Sequence, residues 1–522
     1  MKKVLIAFLA FLFPLMGNNI NWAVPTTTLS SATVAASDQH IAIDANGNVV
    51  AVWVENGAIK AAIKHISGSW SSAVTLASTG ASYPRVASDL NGNATAIWLA
   101  SGVVKAATKT LGGSWSSAST LSGSSASSPN LAVDTAGNVV AVWARTGNVE
   151  SSIKPFGQNW QTHTVITSNT AASPHVAVGG LGSNKQATVV WTGLSGSLSV
   201  VYSSTRLITG PWSNQTIISD TSSNAGYPAI AVDGNGNAQA VWFAYNTLGT
   251  NYYDVTVQGS YKLFGGNWNT IATLSEPGVR NPANLSARVA FDGVGNAIAL
   301  WNNSYDDMNF NIESAILPLR GTWTKPVKIV DSNPYAYEAD LAVTSFGDAL
   351  TTYMFYNGAA LLVQSAETNF SGFMENVWSV PINLPTTPYN YFPRIAVTLT
   401  GNVINAAALW ISTNGTVNTV VAAMGSRTVV LPPTSLAVSQ SNNNSFGGVI
   451  SPYYNTLSWV ASTSPNVVGY IIFRNGVPIE QVKANVTQVI DNNRVQNETV
   501  VYGIATIDNQ GSQSPIATIT YN

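Results

Sequence analysis

Short apolar runs rich in Val, Ile, Ala and Thr alternate along the chain with clusters of Gly, Ser, Asn and Asp. In NVVAVW, ending at Trp53, apolar residues occupy successive positions, as expected of a strand in a sheet covered on both faces. The surrounding phrase, HIAIDANGNVVAVW from His40, returns as RVASDLNGNATAIW ending at Trp98 and NLAVDTAGNVVAVW ending at Trp143. Its Asp stands at 44, 89, 134, 233 and 292, Gly179 and Thr344 take the place in two more copies, and PRIAVTLTGNVINAAALW is an eighth. The spacing is 45 residues for the first three steps, then 54, 59 and 52, which signals a repeat architecture.

A second mark, G-x-W, falls between the copies at Trp70, Trp115, Trp212, Trp268 and Trp323, with variants at Trp160 and Trp378. All sixteen tryptophans can be placed. Seven end the first phrase (Trp53, Trp98, Trp143, Trp191, Trp242, Trp301 and Trp410, with Tyr353 in the eighth place), seven form the interleaved set, and Trp22 and Trp459 remain. Each unit reads as four short strands; in the second these are PRVAS, ATAIW, VVKAATK and WSSASTL, with a tight turn from Asp89 to Asn93. Four-stranded units that cover one another describe an all-β β-propeller. The last unit lacks a tryptophan strand, whereas WAVPTTTL at Trp22 has one and no unit before it. The N-terminal strand is therefore expected to close an eight-bladed ring, or a seven-bladed one if a divergent copy is not a full blade.

Composition narrows the function. Of 522 residues 45% are hydrophobic and only 9% charged, with a net charge of −2 and no basic run, so a nucleic-acid partner is not expected. MKKVLIAFLAFLFPLMGNN reads as a signal peptide over residues 1–20, too short to span a bilayer. The mature chain is expected to be exported, secreted or held at the cell surface, without a transmembrane segment, and monomeric. With no cysteine there is no disulfide and no thiolate metal site. Asp44 to Glu55 mimics a calcium loop, but Val49 stands where such a loop needs Gly; a hairpin turn is the expected structure, with no metal and no cofactor.

Residues 21–428 thus form the propeller. Their pattern, P-x-h-A-h-D, then G-N-x-h-A-h-W, then a strand leading to G-x-W, resembles the blades of sialidase-like propellers, although KHISGSW and KTLGGSW lack the Asp of that family's turn. Beyond Pro432 and Pro433, residues 429–522 resemble a fibronectin type III domain through Leu457, Trp459, Tyr470, Phe473, Arg474, Gly476, Tyr502 and Asp508. That resemblance implies a C-terminal β-sandwich, with Val500 where relatives carry a corner tyrosine.

One column of the repeat carries candidate chemistry. Four residues before the turn position stand His40, Arg85, Asn130, His175, Ala229, Arg288, Asp340 and Arg394. Two of the four histidines and three of the ten arginines of the chain fall here. The column should ring the mouth of a central channel, opposite the D-x-x-G-N turns. It reads either as polar residues tolerated near a wet channel or as a site for an anionic or polyhydroxylated ligand, since guanidinium donors suit carboxylates. The sialidase resemblance implies a carboxylate clamp of Arg394 with Arg85 and Arg288, Asp340 as acid, and Tyr337 with Glu338 as nucleophile pair. His65 and His163 read as solvated surface groups. The expected role is binding of an extracellular glycan or surface protein, with a sialidase-like glycoside hydrolase as the alternative.

Overall fold

The computed structural model describes residues 19–521, apart from 168–169, 250–251, 281–285, 305–309, 320, 331–334, 371–375, 385–388 and 443–452. The signal-peptide segment up to residue 18 lies outside the described residues. Trp22–Ser426 and Arg427–Asn522 fall into separate compact units.

The first unit is all β, built of antiparallel sheets arranged like propeller blades with a single parallel bridge among the described residues. In repeat one, Ala36–Ile43, Val49–Glu55, Ala58–Lys64 and Val74–Ala77 pair in sequential order, and the same order returns through repeat six. A parallel bridge between Leu361 and Tyr389 joins repeats seven and eight in one nine-stranded sheet. Asn21–Trp22 and Thr27–Thr28 both pair with Asn418–Thr428, so the start of the described chain supplies the outer strand of the last repeat. The eight first strands touch in cyclic order, Tyr389–Thr400 lying against Ala36–Ile43.

The successive apolar residues explain this closure. Val49 to Val54 are all buried, because one face of each sheet packs on the preceding repeat and the other on the next. One core unites Ala407, Leu409 and Ile411 of repeat eight with Val49, Ala51 and Trp53 of repeat one. The second-strand tryptophans are 0–1% exposed. Their indole N–H groups find acceptors only where the cross-strand partner or a neighbour supplies one: Trp143 donates to Glu150 at 2.9 Å and Trp301 to Glu313 at 3.2 Å. Opposite Trp98 stands Lys105, which cannot accept, and the Trp98 donor is unpaired.

The fourth strands are shorter than predicted. In repeat two only Ser119–Thr120 pairs, and Trp115 precedes the strand. An outermost strand is held on one edge alone, and the G-x-W indole is better buried between repeats than in the ladder. Trp115 packs on the core shared by repeats one and two, and the Trp212 and Trp378 indoles donate to Ser151 and Ser314 of the preceding repeat at 2.8 and 2.7 Å.

The D-x-x-G-N segments are hairpin turns. Asp44 Oδ1 accepts the amides of Asn46 and Asn48, both at 2.8 Å, and Oδ2 accepts Asn48 Nδ2 at 2.7 Å. Asn48 Oδ1 then takes the Ile66 amide at 3.2 Å, tying this turn to the next. The glycine is required twice over: Gly92 has φ +82°, and a Cβ there would lie 2.6 Å from Asp44 Oδ2 of the preceding repeat.

In the second unit, Thr434–Asn442, Tyr453–Val460 and Gln488–Arg494 form one sheet, and Val467–Arg474, Val477–Lys483, Val500–Asp508 and Ala517–Tyr521 another. Leu457 and Trp459 of the first share a core with Tyr470, Ile472 and Tyr502 of the second. No corner hydroxyl exists at Val500; instead Tyr502 donates to Asp491 Oδ2 at 2.6 Å and accepts from Asn455 at 3.0 Å.

Two outcomes follow from this packing. Trp22 is 7% exposed on the strand that completes the last repeat, so Trp22→Ala should cost about 3 kcal/mol and lower the thermal midpoint by several degrees. Because the turn aspartates are engaged by the chain's own amides, adding EDTA should leave that midpoint unchanged; a fall of several degrees would show that metal holds the turns.

Candidate functional site

Just above the polar column, the first strands slip register against the second, in seven of the eight repeats. Each slip holds a left-handed residue two positions before the column: Asp38, Tyr83, Ser128, Ser173, Tyr227, Glu338 and Phe392, with φ from 49° to 56°. Such bulges re-aim the side chains that follow, and a bulky residue at positive φ is strained. In five repeats the next residue is a buried proline: Pro84, Pro129, Pro174, Pro228 and Pro393. Sequence reasoning missed these bulges, though the recurring aromatic-Pro and Ser-Pro pairs were their trace. Tyr83, Tyr227 and Phe392 project from them with 50%, 47% and 48% exposure.

The column itself divides into two chemical classes. Four members accept a hydrogen bond from the next repeat, always from the amide one residue past its own column position. Val86 N donates to His40 Nδ1 at 3.4 Å, Val176 N to Asn130 Oδ1 at 3.1 Å, Ile230 N to His175 Nδ1 at 3.2 Å, and Ile395 N to Asp340 Oδ2 at 3.1 Å. These residues staple neighbouring first strands together, and both histidines serve as neutral acceptors. Ala229 is buried in the apolar core.

The arginines cannot accept and break the pattern. Each donates through Nη1 to the carbonyl of the preceding residue: Arg85 to Pro84, Arg288 to Ala287 and Arg394 to Pro393, at 2.9, 3.0 and 3.0 Å. Arg288 Nε also meets Asp340 Oδ1 at 2.9 Å. Among the described residues, Arg85 and Arg394 have no carboxylate within ion-pairing distance. The two lie on either side of repeat one, and the field of both reaches His40. Burial first, then the Arg85 and Arg394 cations, hold the His40 pKa down to about 3. Burial and then the Arg288 and Arg85 cations bring His175 to about 4. Arg85 itself falls to about 10 through burial and the Arg394 charge, against the opposing pull of Asp38 and Asp340. Asp38 and Glu338, on the bulges above, place two carboxylates over the arginine level, and Glu338 acts on Arg394.

The catalytic roles implied by the sialidase resemblance fit less well. Burial raises the Asp340 pKa, but the Arg288 and Arg394 cations and the hydrogen bonds from Arg288 and Ile395 bring it below the usual carboxylate value. Asp340 therefore stays ionised and is a poor proton donor. Tyr337 is shifted upward, by burial and then by Tyr391 and Glu338, away from a phenolate nucleophile. Outside the column, His163 is no simple surface group: it lies 3.9 Å from the buried Glu150 and edge-on to Trp143 at 6.2 Å. His65 bonds Asn48 at 3.2 Å, and Lys64 Nζ reaches the Gly68 carbonyl at 2.8 Å, both bracing the outer turn.

The histidine staples carry a pH signature. Their folded pKa values lie below the unfolded value of about 6.5, so the unfolded chain takes up protons first as pH falls. Stability contributed by the neutral histidines is complete above about pH 6.5 and declines toward pH 3 to 4, by about 1.4 kcal/mol per pH unit per histidine. His40→Asn, which installs the acceptor already used at Asn130, should preserve stability at pH 7 and reduce the loss measured by denaturant titration at pH 4.5. An unchanged acid slope would contradict the neutral-acceptor role.

No family model matches the chain, and no curated protein sequence matches it. Among solved structures, similarity extends to a Penicillium chrysogenum alpha-L-arabinanase complexed with arabinobiose, at 9% identity over 78% of this chain and 99% of that one, with a TM-score of 0.36. A Fusarium graminearum alpha-L-arabinofuranosidase with arabinobiose is 10% identical over 57% of this chain and 92% of that one, at a TM-score of 0.34. The Clostridium perfringens spore cortex lytic enzyme SleM matches over 24% of this chain and 38% of its own length, at 13% identity and a TM-score of 0.14. At these scores the likenesses carry no argument about activity.

Proposed function

We propose that the chain is an exported glycan-binding protein: an eight-bladed propeller whose channel mouth holds an acidic sugar, followed by a fibronectin type III module acting as spacer or adhesive element. Eight first strands in cyclic contact support the count of eight, and the three- and four-stranded sheets sharing one core support the C-terminal sandwich. The observation that carries the binding reading is the pair Arg85 and Arg394, two half-buried guanidinium groups flanking His40 with no carboxylate partner among the described residues. A sugar carboxylate would supply the missing counter-charge. Asp38 and Glu338 on the rim would accept from its hydroxyls. Arg288 and Asp340, already paired, serve as the fixed wall of the site.

The test is binding of glucuronic and N-acetylneuraminic acid, followed by calorimetry in low and high salt. Arg85→Ala and Arg394→Ala should each weaken binding at least tenfold, and added salt should weaken it in the unaltered chain. Aryl sialosides and aryl arabinofuranosides should release no fluorophore. Hydrolysis abolished by Asp340→Asn would overturn the binding-only reading, and binding indifferent to both arginine substitutions would overturn the clamp.

A further inference from the structure

The rim on the clamp side is uneven in height. Repeats one to three join their second and third strands by two-residue turns between seven-residue strands, such as Val49–Glu55 and Ala58–Lys64. Repeat five extends the same hairpin to Ala238–Gly249 and Tyr252–Lys262, and repeat eight to Val403–Thr413 and Asn418–Thr428. The second strands of repeats one and five start four residues before Trp53 and Trp242, so the extra length of repeat five lies beyond its tryptophan and rises from the clamp side, by about 16 Å at ~3.3 Å per residue, whereas repeat eight places its extra residues mainly between the turn and Trp410, on the opposite side.

Aromatic side chains cluster on repeats six to eight, the repeats that follow this raised hairpin. Tyr356 and Tyr335 pair across strands with ring centroids 6.1 Å apart, Tyr335 meets Phe310 of repeat six at 6.1 Å, and Phe310 meets Tyr337 edge-on at 6.5 Å. Tyr337 feels Tyr391 of repeat eight, whose ring lies 6.3 Å from Phe392. The series passes from repeat six through seven to eight and ends two residues from Arg394. Tyr335, Tyr356 and Phe392 are 42%, 37% and 48% exposed, although aromatic rings of this size are normally buried. Four of the six rings, Tyr335, Tyr337, Tyr391 and Phe392, are held near strand starts at or beside the bulges, fixed in place by the ladder and by each other, so little conformational entropy is lost when a ligand stacks on them.

We infer that this arc is a stacking track for an extended acidic polysaccharide, one residue of which is held by Arg85 and Arg394 while the following sugars lie face-on along Phe392, Tyr391, Tyr337 and Tyr335. The inference rests on the clamp proposed above and deepens it from a single sugar to a polymer. Sugar rings present apolar C–H faces to aromatic planes and keep their hydroxyls at the edge, which suits half-exposed rings. Arginines at one end and aromatic rings along the other give the track a direction. A compact anion would use only the clamp; a polymer would use both.

The experiment is affinity electrophoresis of the full chain in native gels containing pectate, alginate or hyaluronan, with dextran as the neutral reference, and calorimetry with uronic-acid oligomers of one to six units. At least one acidic polymer should retard the protein and dextran should not, and the tetramer should bind at least tenfold more tightly than the single sugar. Tyr335→Ala combined with Tyr356→Ala should abolish retardation and most of the gain with length while the single sugar still binds, thermal unfolding confirming an intact fold. Retardation and length gain unaltered in the double variant, or no retardation by any of the three polymers, would overturn the track. The clamp is judged separately: single-sugar binding that ignores Arg394→Ala overturns it even where the tyrosine-dependent gain with length survives.

Discussion

Everything in the larger unit depends on burying both faces of each sheet. A second strand such as Val49 to Val54, apolar at every position, leaves no face for water, so each sheet needs a neighbour on either side. A linear stack of such sheets would leave its two end faces bare. Joining the last to the first removes both, and the core shared by Leu409 and Trp53 is where this is accomplished. The outer strand lent by Asn21–Trp22 completes the last repeat's sheet with a strand from the opposite end of the chain. Small residues at the contacts, Ala51, Ala96 and Ala141 among them, let sheets approach, while the tryptophans two residues further along the same strands are buried between the sheets.

Closure converts a column of the sequence into a ring, and the ring then acquires two sets of obligations. At one end the turn aspartates and asparagines satisfy their own amides and reach the next turn. At the other, His40, Asn130, His175 and Asp340 each accept an amide from the following repeat. Three chemically different side chains perform one task because the task requires only a lone pair at the right height. Arginine has none to offer. Where it replaces an acceptor, the staple is lost and a cation is held in a desolvated place, an expense that stability alone does not explain. Arg288 recovers part of it by pairing with Asp340. Arg85 and Arg394 do not, and this asymmetry is the physical basis for placing a ligand beside them.

The repeat period, the four-strand order, the turns and the orphan strand at Trp22 were legible in the sequence, because each follows from local chemistry repeated at fixed spacing: Asp and Gly at a turn, successive apolar residues in a doubly covered strand, a tryptophan at its end. The polar column was legible as a column for the same reason. Its division into staples and cations was not, since His40 and Arg85 look alike in an alignment of repeats and differ only in what the neighbouring strand's amide requires of them. The reading of Trp115 as part of a fourth strand failed because burial between repeats outweighs one edge hydrogen-bond ladder. His163 reads as a solvated surface group in the sequence because its partners, Glu150 and Trp143, stand on other strands and leave no mark next to it there.

The sequence by itself determined that the chain forms doubly covered sheets, how many residues each repeat spends, and which positions carry charge, since these are matters of periodicity and composition. Only the tertiary structure decided which charges are consumed and which are left over. Hydrogen bonding between His40 and Val86 N, the pairing of Arg288 with Asp340, and the assembly of Tyr335, Phe310 and Tyr391 along one sector join residues of different repeats, about fifty positions apart for the first two and about twenty-five for Tyr335 and Phe310. Distances of that kind are set by ring curvature and by the bulges above the column, and neither leaves more than a faint mark on the local pattern of residues.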